Sequence, residues 1–367
     1  MKIKAKKAYL VQALSMLAGI KSKNSPLEIL ENVLIDAREP NLLKMTVTNL
    51  NITTSASIPV NTSEPGITTV PVKVLNRVIG GFPVDDVSIS DKKDIVMIKG
   101  ASSKYKLKTI AHDDFPAIPV MPKESMELDA DVVADSIHRT AFSVGKEGNA
   151  VVQGALFKCD GEKLIMVSTD GHRLSSTEHE FAGGEICTII PGSALIDIRK
   201  MAELDVDSIS IAEGDGRVFF SMDAKLDLLD TMSVMLSVGV VDGEYVDYGK
   251  LLSPRQNVAT MDRDELIIAL RRSMVLPTDK HTRLSFSDGR LTIESVGSQI
   301  GNSSEEIDAN YTGEGVDMGV NPKYLLDAVN ALNDEEIRLE FDDGKSQIIV
   351  RDGKGEFVGV VMPKSLK

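Results

Sequence analysis

The sequence predicts an α+β chain made of three tandem copies of one domain. Each domain is built from two similar units of one helix and several antiparallel strands. Three observations lead there. The first is a pattern that occurs three times, in GITTVPVKVLNRVIGGFPVDDVSIS, GEICTIIPGSALIDIRKMAELDVDSISI and GVDMGVNPKYLLDAVNALNDEEIRLEF. Each stretch begins near a glycine and runs as a short β-rich strand. It then meets a proline (Pro71, Pro191, Pro322) expected in the first helical turn, where a missing N–H leaves no bond unmade. The second is spacing: the equivalent residues Val70, Ile190 and Val320 lie 120 and 130 positions apart, a domain-sized interval. The third is a shared front half, a helix followed by strand, turn, strand, loop and strand, ahead of each of those stretches.

The elements follow in order. YLVQALSMLAGI, DVVADSIHRTAFSVG and DELIIALRRSMVL carry apolar residues at helical spacing and open the three copies. Asp36–Pro40, Asp160–Gly161 and Asp288–Gly289 mark the turns between the strands that follow. The second helix of each copy shows Leu75, Val78 and Ile79; Leu195, Ile198 and Met201; or Leu325, Val329 and Leu332 on one face. Alternating strands close each copy, in VSISDKKDIVMIKG, ISIAEGDGRVFFSM and IRLEFDDGKSQIIVRDG. The connectors AHDDFPAIPVMPKES and DGEYVDYGKLLSPRQN divide the chain into residues 1–122, 123–253 and 254–367. A unit of this kind covers the apolar face of its sheet with its helix, and copies in series join edge to edge. Constant rotation per unit then closes a ring or extends a filament.

Composition narrows the chemistry. With no Trp and aromatics at 4%, the cores are expected to be aliphatic, helped by the 15 Met. Cys159 and Cys187 lie in strand-like runs without CxxC spacing and are expected to be buried, reduced thiols. The five His are dispersed, EHE at 178–180 is isolated, and no GxxxxGK[ST] occurs, so neither a metal, a cofactor nor an ATP site is expected. No apolar run is long enough to span a membrane. The lysine-rich start reads as an amphipathic helix, since Gln12 and Ser15 interrupt its apolar stretch, and a cytosolic protein is expected. The formal net charge of −14 repels DNA at long range unless basic residues are gathered. They are partly gathered: Lys2, Lys4, Lys6, Lys7, Lys21 and Lys23 precede the first acid, Glu28, although a solvated helix face with a loop would look the same.

STDGHRLSS, residues 168–176, holds the residue types of a nucleophilic site. Such a site needs Ser, His and acid side chains to converge. Here Asp170 and Gly171 read as a turn, after which His172 and Arg173 point to opposite faces of a strand. No Gly-x-Ser-x-Gly elbow is present. Catalytic residues are therefore not expected.

The segments LEILENVLI, EPGITTVPVKVLNRVIGGFP, DDFP, QGALF, VSTDGHRLS, DGEYVDYGKLL, NPKYLLDAVNAL and the C-terminal VVMPKSL together resemble the bacterial β sliding clamp, the DNA polymerase III β subunit family. The resemblance covers essentially the whole chain. It implies the DNA clamp fold: two chains join head to tail in a ring of six domains, with helices lining a channel for duplex DNA and sheets outside. It implies a processivity role without catalysis, opened and loaded by a separate ATPase. It also implies a groove that takes short linear motifs of polymerase subunits and the loader. The groove would be formed by Val152, Thr169, Gly171, His172, Arg173, Leu174, Val246, Lys250, Leu251, Asn321, Tyr324, Val360, Val361, Met362, Pro363 and Leu366. Its apolar members suit Leu or Phe anchors, and Arg173 and Lys250 suit carbonyls or acids of the motif. Core packing, or for His172 and Arg173 local turn bonding, is the other reading of the same residues.

DNA-facing candidates on the helices are Lys6, Lys7, Lys73, Arg77, Arg139, Arg199, Lys200, Arg271, Arg272 and Lys323, with Lys21 and Lys23 after the first helix. Asp131, Asp135, Asp197 and Asp327 on the same helices offset part of that charge. Contacts with the encircled duplex are expected to be weak and non-specific. The head-to-tail interface is implied at Tyr105 and Leu107 on one side and Val275 and Leu276 on the other, residues that could equally finish their local cores. The chain departs from the family pattern at Val246, where Pro is common, and at His281, near a frequent aromatic position. It departs again at Asn149 and at Gly192–Ser193, near positions often basic.

Overall fold

The computed structural model describes residues 1–20, 27–276, 281–296 and 301–366. Among them are six α-helices: α1 (Lys7–Leu17), α2 (Val72–Gly80), α3 (Ala130–Thr140), α4 (Gly192–Ala202), α5 (Arg263–Ser273) and α6 (Pro322–Asn330). They fall two to each copy, as the repeats require. α2 shows the logic: Val72, Leu75 and Ile79 are buried while Lys73, Val74 and Arg77 face out. α5 begins with Asp262 accepting from the Glu265 N–H at 2.8 Å, which satisfies one of the open amides of the first turn. In α6 Asn321 does the same for Lys323 at 3.0 Å, with Pro322 in the first helical position.

The prolines are shifted from expectation in two of three copies. Pro71 is the N-cap of α2 and Pro191 ends the strand before α4; both still pair in a sheet, with Asn32 and Gly154. A proline φ suits the extended residue before a helix as well as its first turn. A second correction concerns the N-terminus. Lys2–Lys6 is a strand, with Ile3 and Ala5 buried between outward lysines, and the helix starts only at Lys7. The alternation of period two, overlooked beside the longer helical pattern, is the signal.

The chain forms two compact units, described separately. One comprises Met1–Ala134 with Ser193–Val240, the other Asp135–Gly192 with Val241–Lys367. In the first, a five-stranded antiparallel sheet runs Asn61–Glu64, Lys2–Lys6, Asp86–Lys92, Ile95–Gly100, Ser103–Lys108. Its eight-stranded sheet joins two copies: Thr231–Gly239 pairs with Ile52–Pro59, from Ser233 opposite Ser57 to Val238 opposite Ile52. In the second unit the equivalent join is Arg173–Glu180 against Phe357–Val361. Its four-stranded sheet runs Ser303–Asp308, Arg290–Val296, His281–Ser287, Val316–Val320. Edge-to-edge joining of copies, expected from the sequence, is what the registers show.

The cores are mostly aliphatic, but several of the few aromatics are placed inside them. Phe157, Phe219, Phe220, Phe286, Phe341 and Phe357 are all fully buried, and Phe286 lies 4.3 Å from Phe341 between ring centroids. Cys159 is buried, and that burial pushes its thiol pKa up to about 12. Cys187 is exposed, contrary to expectation: in Glu185–Pro191 the inward position falls on Ile186 and the next residue must face out.

Lys6 does not lie on the helix surface. Its ammonium pairs with Asp227 at 3.0 Å and Asp230 at 3.4 Å and bonds the Tyr9 hydroxyl at 2.6 Å. Asp227 accepts from the Tyr9 hydroxyl, from the Leu229 and Asp230 N–H groups and from Lys6, which together hold its carboxyl well below the usual carboxylate range. Burial, with the Asp227 bond next, moves the Tyr9 phenol up to about 12. Because the carboxyl is depressed in the folded state, its stabilisation is complete above about pH 4 and fades as pH falls below that value. Asp227→Asn should therefore flatten the loss of stability between pH 5 and pH 2 in urea titrations; a wild-type acid limb in the variant would refute the role given to this carboxylate.

Candidate functional site: an apolar groove on a joined sheet

The TDGHRL turn is built by its aspartate. Asp170 accepts from the His172 N–H at 2.9 Å and the Arg173 N–H at 3.0 Å, and Gly171 turns the chain with φ of 82°. Thr169 bonds the Gly171 N–H and donates to the Arg173 carbonyl, closing the turn from the other side. The serines go elsewhere. Ser168 is buried and donates to the Thr140 carbonyl, and Ser175 bonds Ser143 at 2.7 Å, while His172 is exposed on the turn. These directions do not converge on a nucleophile.

Leu174 points inward opposite Val360, and with Leu156, Val167, Ile349 and Val358 it forms an apolar floor across the joined strands. Tyr245, Tyr248, Leu251 and Leu252 pack half-buried against that floor. Burial raises the Tyr245 phenol above its ordinary value; its hydroxyl reaches the Gly154 carbonyl at 3.4 Å. The C-terminal strand continues past the turn: the Met362 N–H donates to the His172 carbonyl at 2.9 Å. Met362 and Val246 remain exposed, and Lys250 stands exposed in the 3-10 turn Gly249–Leu252. That turn is strapped down. The Arg351 guanidinium donates to the Leu252 carbonyl and is itself held at 3.2 Å by Glu340, a carboxylate 1% exposed that also binds Arg338 at 2.9 Å.

Arg173 makes turn bonds, one of the two readings its position allowed, and reaches further as well. It pairs with Asp170 at 3.0 Å and with Asp327 of α6 at 2.6 Å, and its guanidinium lies 4.4 Å from the Tyr324 ring centroid and 5.5 Å from that of Phe142. With both acids already held, it ties the turn to α6. Asn321 is occupied as the α6 cap. Val152 sits half-buried in the preceding loop, its N–H bonded to Asn149 at 3.0 Å. Val361 is buried. Pro363 and Leu366 line a separate cavity of about 660 Å³ with Asp317, Asp343 and Lys345, and Leu366 packs over Gly319. His281 opens a strand.

The basic candidates divide. Arg139 is a correction: it is 8% exposed and clamped by Asp135 at 2.9 Å and Asp352 at 3.0 Å, so it is a buried strut. Lys6 is committed as above, and the Lys7 ammonium donates to the Phe82 carbonyl at 2.5 Å. Arg199 pairs with Glu203, Lys200 with Asp197 and Arg272 with Glu305. Lys73, Arg77, Arg271 and Lys323 are exposed without an ion-pair partner among the described residues. Lys21 and Lys23 lie outside the described residues. At the implied interface, Tyr105 is exposed on an edge strand against Phe82, Leu107 is half-buried, Val275 is 77% exposed and Leu276 is half-buried after α5.

Models of the DNA polymerase III beta subunit match this chain in tandem: the N-terminal domain at residues 1–119, the central domain at 127–245 and the C-terminal domain at 253–365. The chain belongs to this family of sliding clamps. A beta sliding clamp of Synechococcus elongatus is 27% identical over 355 residues, 92% of each chain. The crystal structure of a DNA polymerase III beta subunit from Eubacterium rectale matches with a TM-score of 0.90 at 25% identity, over 99% of each chain. One from Thermotoga maritima, at 20% identity and a TM-score of 0.91 over the full length of both, shares the fold.

In this clamp the sequence did not point to Tyr245, Tyr248 and Leu252 as packed against the apolar floor, to Glu340 and Arg351 as a strap, or to Asp327 as the partner of Arg173. The tyrosines stand inside the segment DGEYVDYGKLL, where their spacing from Leu251 carried a signal; the charged partners come from distant strands and carried none. A double-mutant cycle of Arg173→Ala and Asp327→Ala should give a coupling of about 1–2 kcal/mol in urea unfolding. Additive effects would show that the two side chains act independently.

Proposed function

We propose that two copies of this chain close head to tail into a ring that encircles duplex DNA and holds polymerase subunits and a loader ATPase by their short linear motifs. The observation that carries the proposal is the apolar floor of Leu174 and Val360 on the joined strands, walled by Tyr245, Tyr248, Leu251 and Leu252, with Val246, Met362 and Lys250 exposed nearby in the sequence of its elements. Such a floor with a few polar groups at its rim suits a leucine or phenylalanine anchor. Thr169, Gly171 and His172 form its turn, and Arg173 with Tyr324 supports it from behind.

Ring closure is supported by two free sheet edges of opposite charge. Ser103–Lys108 carries Lys104, Lys106 and Lys108, and Ser303–Asp308 carries Glu305, Glu306 and Asp308. Two different edges meeting head to tail make a heterologous contact, which closes when the rotation allows. Lys73, Arg77, Arg271 and Lys323 are the cations left to meet the encircled phosphates, with Lys7, Arg199, Lys200 and Arg272 available once their present bonds exchange. The role is non-catalytic and cytosolic; among the described residues no helix is long and apolar enough to cross a membrane. Boundaries at residues 122/123 and 253/254 are supported by the breaks between the matched stretches, which end at 119 and 245 and resume at 127 and 253.

Leu276→Asp should give folded monomers in analytical ultracentrifugation, since it removes an apolar contact from the interface and requires a carboxylate to be desolvated in its place; an intact dimer would reject the interface. Loaded by a clamp-loader ATPase onto a nicked circle, the protein should co-migrate with the DNA and be released when the circle is linearised. Retention after linearisation would argue against encirclement.

A further inference from the structure

The five-stranded sheet has a buried face and an open one, and the open face is basic. Val87, Ile89, Val96 and Ile98 point into the core. Directly between them, Lys99 stands opposite Lys104, Met97 opposite Lys106 and Ile95 opposite Lys108. The rows continue inward: Lys99 pairs with Ser88 and Ser88 with Lys4, Met97 with Ser90 and Ser90 with Lys2, Ile95 with Lys92. On the strands themselves the acids of this face are Asp86, which holds Lys4 at 2.7 Å, and Glu64 opposite Lys2, while Asp227 and Asp230 engage Lys6 at its end. Lys2, Lys92, Lys99 and the three edge lysines are exposed without an ion-pair partner among the described residues.

This arrangement is costly for a sheet standing alone. Like charges directly opposite, as at Lys99 and Lys104, destabilise the pair. Lysines that merely blunt an edge belong on the edge strand, whereas these extend across the sheet to Lys2. In a chain of net charge −14 they collect positive potential on one flat surface. The face offers no aromatic ring for stacking bases, because Tyr105 lies on the opposite side against Phe82. We propose that this face binds the phosphate backbone of duplex DNA, without sequence preference and without encirclement. The site is separate from the helices assigned to the encircled duplex, and the inference does not depend on that assignment.

The test uses the full-length protein, a fluorescent, covalently closed duplex minicircle and no loader. Lys2, Lys92 and Lys99 are changed together to Ser, leaving the edge strand intact; unchanged melting temperature and dimer mass show that fold and assembly persist. The variant should bind the minicircle several-fold more weakly than the wild type at low salt. Its log–log salt slope should be shallower by up to about 2.7, since each phosphate that a lysine no longer neutralises lowers the slope by about 0.9. A second variant, with Lys73, Arg77, Arg271 and Lys323 changed to Ser, should bind the minicircle like the wild type. Single-stranded circles should bind no tighter than the duplex. Equal binding by the outer-face variant, loss of binding only in the helix variant, or tighter single-strand binding would each overturn the proposal. So would a wild type that ignores the minicircle but holds a polyglutamate peptide through these lysines, which would assign the face to an acidic protein.

Discussion

Everything at the groove depends on one backbone ladder, the pairing of Arg173–Glu180 with Phe357–Val361. The two strands are some 180 positions apart in the sequence and come from different repeats. Their register places Leu174 beside Val360 and leaves the TDGHRL turn beside Met362. A slip of one residue would turn every side chain to the other face and dissolve the floor. The apolar floor therefore lies where two copies of the domain are stitched into one sheet.

Buried ion pairs hold the parts around that ladder. Arg173 reaches Asp327 of α6, Arg139 reaches Asp352, and Glu340 gathers Arg338 and Arg351. All but Glu340–Arg338, which lies within one strand, join residues from different elements, and each is directional. Charges taken from water repay their desolvation only with good geometry and further hydrogen bonds. Glu340 has both, and through Arg351 it fixes the carbonyl of Leu252 at the groove wall. Electrostatics here positions the elements around the apolar floor.

Charge is also sorted over the surface. A protein that is acidic overall gathers lysines without an ion-pair partner, among the described residues, on one face of the five-stranded sheet. Many other cations are matched with acids close by, as in Lys6 with Asp227 and Arg199 with Glu203. A summed charge of −14 says little about any one surface, because fields at protein dimensions are set by local arrangement and screened within about 10 Å.

Much of this was legible beforehand. The three repeats, six helices, the joining of copies edge to edge and the family follow from periodicity and motifs, because they rest on local spacing that the chain carries with it. The strand Lys2–Lys6 and the exposure of Cys187 were readable too, from alternation that a longer pattern obscured. Partnerships were not. That Arg139 is a strut, that Arg173 is committed to α6, and that lysines from four segments share one sheet face are results of register between distant strands. The sequence by itself determined which segments become helices and strands and where the turns fall. Only the tertiary structure decided which charges neutralise one another and which stay open to a partner, since that depends on distances of a few ångströms between residues far apart in the chain.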